Sequence, residues 1–195
     1  MIISFLILAV VVVVVLVGYR TSRAGYESAP CQVVRASGKF ELRDYPALTV
    51  VETRMASAGD GDDGSFMRLF RYIGGSNNAG EKIAMTTPVF MSGSDSNRLM
   101  AFVLPVKFKP GGVPQPADGS VSVRVLPAGQ FAVLRFSGGR SAQHEAAALE
   151  RLKTWLAAQG LKASSPPVYA YFDPPWTPPF LRRNEVMLRT GSDAE

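Results

Sequence analysis

Two rhythms of apolar spacing alternate along this chain. FELRDY (Phe40 to Tyr45) alternates apolar and polar positions, and LTVVETRM (Leu48 to Met55) follows suit after the Pro46-Ala47 turn. Period two is the mark of a strand with one buried face. The period then changes. In DDGSFMRLFRYIGG, Phe66, Leu69, Phe70 and Ile73 fall at i, i+3, i+4 and i+7, the stripe of an amphipathic helix. Asp62 or Asp63 is placed to cap its start, and Gly74-Gly75 to end it. Strands are predicted next over about 84–91 and 98–104.

The second half repeats this order. VSVRVL (Val121 to Leu126) reads as a strand, Pro127-Ala128-Gly129 as a turn and QFAVLRF as another strand. A helix is predicted over about 141–159, with Ala148, Leu149, Leu152, Trp155 and Leu156 on one face. PVYAYF and NEVMLR supply the last two strands. The Pro/Gly-rich stretch KPGGVPQPADGS (Lys109 to Ser120) joins the halves. Neither βαββ-type half buries both faces of its own sheet. Packed together they predict an α+β domain, a distorted antiparallel β-barrel flanked by two helices, with a ligand cleft between the halves.

The first 18 residues break both rhythms. From Met1 to Gly18 the chain is apolar except for Ser4, long enough at ~1.5 Å per residue to cross most of a ~30 Å hydrocarbon layer. This predicts a single-pass membrane anchor over 1–19, with a cleaved signal peptide as the alternative. No Lys or Arg precedes the apolar run. Arg20 and Arg23 follow it, so the positive-inside rule favours a cytoplasmic domain, although two charges do not fix the side. The predicted organisation is a linker over 20–38, a globular domain over 39–190 and a short tail over 191–195.

Charge and composition narrow the chemistry. The net charge of +5 suits anionic ligands or an anionic membrane surface, but no Lys/Arg stripe with interleaved aromatics argues for nucleic acid. Cys31 is the single cysteine and His144 the single histidine, so an internal disulfide is impossible and redox compartment stays open. No metal-ligand spacing, phosphate loop or nucleophile–base pair is present. The sequence therefore reads as that of a binding protein rather than an enzyme. Asp60, Asp62 and Asp63 precede a helix, where the dipole favours negative charge.

Three stretches are candidates for binding. Periodicity alone assigns Phe66 and Phe70 to the core and leaves Arg68 and Arg71 in solvent. The alternative is a helix bordering an open cleft, with its rings on a ligand and an arginine on the ligand's carboxylates. Met85, in NNAGEKIAMTTPVFM, either fills core or coats a broad apolar ligand; Pro88 requires an edge or a bulge there. In YFDPPWTPPFLRRNEVMLR (Tyr171 to Arg189), four prolines prescribe a stiff loop carrying Trp176 into Arg182 and Arg183.

RYIGGSNNAGEKIAMTTPV (Arg71 to Val89) and YFDPPWTPPFLRRNEVML (Tyr171 to Leu188) resemble signatures of the SOUL haem-binding protein family, and FELRDYPALTVVET is similar to its first strand pair. The likeness runs from about Gln32 to Arg189. It implies the same two-repeat fold and binding of haem or a related tetrapyrrole in an exposed apolar groove along the first helix. Phe66 and Phe70 then occupy groove positions, Arg71, Arg182 and Arg183 face the propionates, and Trp176 walls the rim. Asn184 and Glu185 finish the loop structurally. Some members carry a histidine, proposed as an axial ligand, where this chain has Asp44. Haem iron takes His, Met, Cys or Tyr, so ligation here would fall to Tyr45, a methionine or no protein group. The implied function is a non-catalytic, membrane-tethered haem carrier with a monomeric soluble domain. The alternatives are a general module for bulky apolar ligands or, less favoured, a haem-modifying enzyme.

Overall fold

The computed structural model describes residues 25–56, 63–93, 97–109 and 111–191, together with residues 5, 7, 8, 11, 12 and 18. The anchor expected over 1–19 falls mostly outside the described residues, as do Asp60, Asp62 and residues 192–195. Among the described residues, no helix is long and apolar enough to cross a membrane.

Strands β1 (Glu27–Ser28), β2 (Gln32–Ser37), β3 (Phe40–Tyr45) and β4 (Leu48–Arg54) precede helix α1 (Ser65–Ile73). After it come β5 (Thr86–Thr87), β6 (Val89–Ser92) and β7 (Leu99–Val103). The second half runs β8 (Val121–Leu126), β9 (Gly129–Phe136), α2 (Ala142–Ala158), β10 (Lys162–Ala163), β11 (Val168–Tyr171) and β12 (Asn184–Gly191). Pro88, after a cis peptide bond, separates β5 from β6.

The sheet follows the order β2-β3-β9-β12-β11-β6-β7-β4-β8, with β10 against β12. That order has a pseudo-two-fold centre. The first strand of each half pairs with the second strand of the other, β3 with β9 and β8 with β4, and the halves meet along the antiparallel pair β6–β11. The exchange explains why neither half is complete alone. The expected barrel is a curled half-barrel, because the path ends at β2 and β8 without pairing them. Strand β2 is exposed at every residue and has no apolar face to draw it into a second contact. It also corrects the linker expected over 20–38, since residues 32–37 are an edge strand of the sheet.

Strand alternation sorts the core into two faces. Val51, Met100 and Phe102 point toward α1 and pack with Leu69, Tyr72 and Ile73. Leu42, Leu134, Val186 and Leu188 meet Ala148, Leu152 and Leu156 of α2 on the same face. The intervening residues Val50, Ala101, Val103, Val133 and Met187 pack on the opposite face. Helix α2 starts with Ser141, whose Oγ accepts from the backbone N–H of His144 at 3.2 Å, a side-chain N-cap. Helix α1 starts differently. Gly64, at φ 74°, holds the cap position without a side-chain bond, and Asp63 Oδ1 accepts from the Ser65 N–H at 3.0 Å.

Candidate functional site

The seam between the halves has a floor, two walls and a pair of cations. Register sets the floor. Phe102 pairs with Val89 and Val89 with Tyr171; in the next row Met100 pairs with Met91 and Met91 with Tyr169. These rows lie on the helix-bearing face, where Val89, Tyr169 and Tyr171 are only half-buried. Helix α1 forms one wall. Its Arg68 reaches Thr53 Oγ1 and the Arg54 carbonyl on β4, while Phe66 packs edge-on against Phe102 of β7, 5.1 Å between centroids. Because β7 lies on the seam side of β4, the aromatic flank of α1 faces the seam.

That flank departs from the periodicity. Leu69 and Ile73 are buried as the stripe predicts, but Phe66 is 38 % and Phe70 46 % exposed. Tyr72 takes the core position instead, its hydroxyl donating to the Pro114 carbonyl at 2.8 Å. Desolvation, with Glu81 nearby, pushes the Tyr72 pKa up to about 12. Nine residues of helix turn an i, i+4 pair through only ~40°, so one flank can hold both rings outside the contact with the sheet. Phe66 and Phe70 stack on each other at 5.9 Å with Met67 exposed beside them.

Helix α2 supplies the other wall through Glu145, which is nearly buried. Its Oε1 accepts from the Tyr171 hydroxyl. Burial first, then that bond to a carboxylate, raises the Tyr171 pKa far above an ordinary phenol. Two arginines approach the same carboxylate at long range, Arg98 at 4.0 Å from the first half and Arg140 at 3.9 Å from the second. Neither distance is that of a hydrogen bond. The seam thus carries two loosely engaged cations against one anion.

The residues expected from sequence are spread more widely than one groove. Phe66 and Phe70 line the seam. Met85 is half-buried against the α1 core. Arg71 is exposed beside a cavity of about 220 Å³ on the other side of α1, lined also by Arg68, Ser76 and Asp118. A second cavity of about 540 Å³, lined by Glu52, Arg54, Arg68 and Arg124, is on that polar side too. Phe66 and Phe70 line neither cavity. Trp176 is 68 % exposed. Arg182 donates through Nε to the Thr177 carbonyl at 2.7 Å and through Nη2 to Pro175, so it braces its own loop.

Arg183 belongs to a buried charge cluster. Its Nη2 lies 2.6 Å from Glu185 Oε1, and its guanidinium covers the Phe172 ring at 4.2 Å. Glu185 is fully buried and takes two further bonds from Arg43, at 2.7 and 3.0 Å. Burial opposes charge on the Glu185 carboxyl, yet Arg43 and Arg183 outweigh it and hold its pKa below the usual value. Tyr45, on the face opposite the helices, accepts from Arg43 at 3.1 Å, so it stands away from the seam. Asp44 is exposed, bonded by Gln130, on a strand four places from β6 in the sheet.

Sequence reasoning missed Arg98, Arg140, Glu145, Tyr169 and Tyr171. Only Tyr171 lies in a motif that drew attention, and there as a strand residue; the pairing of β6 with β11 across the halves brings the set together. The one available signal was a carboxylate, Glu145, on the predicted apolar side of α2.

A two-fold α+β ligand-binding module with an aromatic-walled seam is the class this geometry defines. The family model described as SOUL heme-binding protein matches residues 26–189, and the chain belongs to that family. It is similar to Heme-binding protein 1 of Sus scrofa, 28 % identical over 175 residues covering 84 % of this chain and 82 % of that one. The Mus musculus Heme-binding protein 1 is also 28 % identical, over 84 % of this chain and 83 % of its own. Among solved structures it is similar to the EcmrR C-terminal domain, with a TM-score of 0.58 and 14 % identity over 78 % of this chain and 97 % of that one. A hydrolase from Listeria innocua matches with a TM-score of 0.59 and 11 % identity, over 81 % of this chain and 94 % of that one. At such identities the likeness shows a shared fold alone.

Proposed function

We propose that this chain is a membrane-tethered tetrapyrrole-binding protein that takes up haem reversibly in the seam and buffers or transfers it, without catalysis of its own. One observation carries the reading: Phe66 and Phe70 are held stacked and exposed on the flank of α1 that faces a half-buried floor. A flat macrocycle laid on them recovers apolar area that folding alone leaves in water, at about 25 cal/mol per Å². Membership of the SOUL family supports haem as that macrocycle.

Haem also carries two carboxylates. Arg98 and Arg140 are the cations the seam offers, and exchanging a 4 Å approach to Glu145 for charge-assisted bonds to propionates is favourable. The rows of the seam floor contain no histidine, which favours reversible carriage over tight ligation. Tyr169, Tyr171 and Met91 are the seam side chains of types that ligate haem iron. The apolar run of residues 1–18 supplies the tether, in a single span, which suits a cargo that partitions into lipid.

Transfer is tested by loading the full chain in vesicles with hemin, adding apomyoglobin and following the Soret band. The expected result is hemin passing to the acceptor at a rate that depends on the chain and falls in Phe70→Ala. A rate identical to that from bare vesicles contradicts the carrier role. The openness of the seam keeps one alternative, a general module for bulky apolar ligands. Its mark is a non-porphyrin amphiphile competing with hemin at equal affinity.

A further inference from the structure

The proline-rich loop between β11 and β12 projects large apolar side chains that no part of the seam uses. Trp176 is 68 % and Phe180 77 % exposed, with Leu181 at 54 %. The loop cannot fold them back. Prolines at 174, 175, 178 and 179 fix its backbone, Arg182 ties it to its own carbonyls, and Gly138 N–H donates to the Pro179 carbonyl at 3.0 Å. Rigidly displayed aromatics of this size mark an interaction surface.

Register places the loop. It leaves β11 after Tyr171, which pairs with Val89 at the start of β6, and Val89 pairs with Phe102 near the end of β7. The loop, β5 and the segment after β7 therefore share one rim of the sheet. That segment adds Val106, 62 % exposed, followed by the exposed Lys107. The Lys107 Nζ lies over the Phe108 ring and 3.9 Å from the exposed Glu81 carboxylate, a contact long enough to yield to a lipid phosphate. Strand β1 docks on the same rim. Glu27 and Ser28 pair with Thr86 and Thr87, and Glu27 Oε1 accepts from the Val106 N–H at 2.7 Å. The chain thus enters the domain at the rim that carries Trp176 and Phe180. Only residues 19–25 separate Tyr26, itself 42 % exposed, from the apolar run ending at Gly18. At up to ~3.5 Å per residue, that spacer reaches less than ~30 Å.

We propose that this rim rests on the bilayer held by the chain's own N-terminal run, with Trp176 and Phe180 set among the headgroups and Lys107 facing anionic lipid. Exposed Trp and Phe beside a cation is the composition of a membrane interface. The docking rests on the tether reading. It turns the end of the seam bounded by Val89, Tyr171 and Met85 toward the lipid, so that an apolar ligand reaches the floor without crossing open water.

The test uses the full chain with vesicles of phosphatidylcholine and phosphatidylglycerol, in which part of the phosphatidylcholine is brominated high in its acyl chains. The chain has two tryptophans, and Trp155 is stacked on Phe40 at 5.3 Å, on the β3 side of α2. The expected result is flotation with the vesicles and loss of about half the tryptophan emission to bromine. Trp176→Phe should abolish that loss without altering flotation, and Phe180→Asp should reduce it. Flotation with no Trp176-dependent quenching overturns the docking and leaves the tether standing. Absence of flotation overturns both. Quenching replaced by cross-linking between Trp176 loops would assign the rim to a second copy of the chain and overturn the lipid assignment.

Discussion

Phe66 and Phe70 lie one turn apart on α1 with their rings 5.9 Å and 15° from parallel, and both remain more than a third exposed beside a completely buried Leu69. The helix thus separates stability from binding along its own circumference. Phe70→Ala should weaken hemin binding roughly tenfold, about 1–2 kcal/mol, because the macrocycle then covers less apolar surface. Its effect on folding should stay within ~0.5 kcal/mol, as for other exposed positions. Leu69→Ala should do the reverse, costing about 2–5 kcal/mol of stability. Urea melts alongside Soret titrations of both variants separate the two effects.

Carboxylate recognition is the second point at which residues part. Arg98→Ala and Arg140→Ala should each weaken protoporphyrin by roughly ten- to a hundredfold, since charge-assisted bonds contribute about 1.5–3 kcal/mol. The dimethyl ester of protoporphyrin should bind these variants as it binds wild type. Arg182→Ala should lower stability of the proline-rich loop and leave the ratio of acid to ester affinity unchanged. Fluorescence titration with the two porphyrins reads that ratio directly.

The buried cluster predicts an acid limit. The Glu185 pKa is depressed in the fold, so its contribution is fully present above the ordinary glutamate value of 4.5. It should fade as pH falls below that value and vanish once pH passes beneath the depressed native one. Glu185→Ala should remove this dependence and cost up to about 3–5 kcal/mol, because buried Arg43 loses both bonds to Glu185 and keeps that to Glu41. Thermal melts of both proteins between neutral and acid pH test the sign: wild type should lose its advantage on acidification.

Gly93 lies against Asn97 and the Arg98 backbone. At φ 85°, a Cβ there would stand 2.2 Å from the Asn97 carbonyl oxygen. Gly93→Ala should therefore lower the melting temperature and impair protoporphyrin more than its ester. An unchanged melt and unchanged selectivity would show that this close approach does not position Arg98.

Much of the fold was legible because strand and helix periods are local. Phe40–Tyr45 and Val121–Leu126 were read with the observed bounds, and α2 to within a residue at each end. What periodicity does not contain is which face of a stripe meets the sheet. Phe66 and Phe70 satisfy i, i+4 whether they pack inward or flank a seam, and only the position of β7 decides. The edge strand β2 was missed because every residue of QVVRAS is exposed, leaving no alternation to detect. Arg183 was legible as a cation but not as one committed to Glu185, since that pairing depends on the Arg43 brought alongside by the β3–β9–β12 order. Arg98 and Arg140, 42 positions apart in sequence, converge on Glu145 because β6 pairs with β11 across the halves, which composition does not reveal.

The central claim is that the seam flank of α1 is the tetrapyrrole site. Its most direct test is a Soret titration of the purified full chain with hemin, with Phe66→Ala/Phe70→Ala in identical micelles as reference. Iron-free protoporphyrin and a non-porphyrin amphiphile run in parallel. The account predicts one-to-one saturation by both porphyrins in wild type, weak binding of the amphiphile and at least a tenfold loss in the double variant. Equal porphyrin affinity in the two proteins, with folding intact, would contradict it.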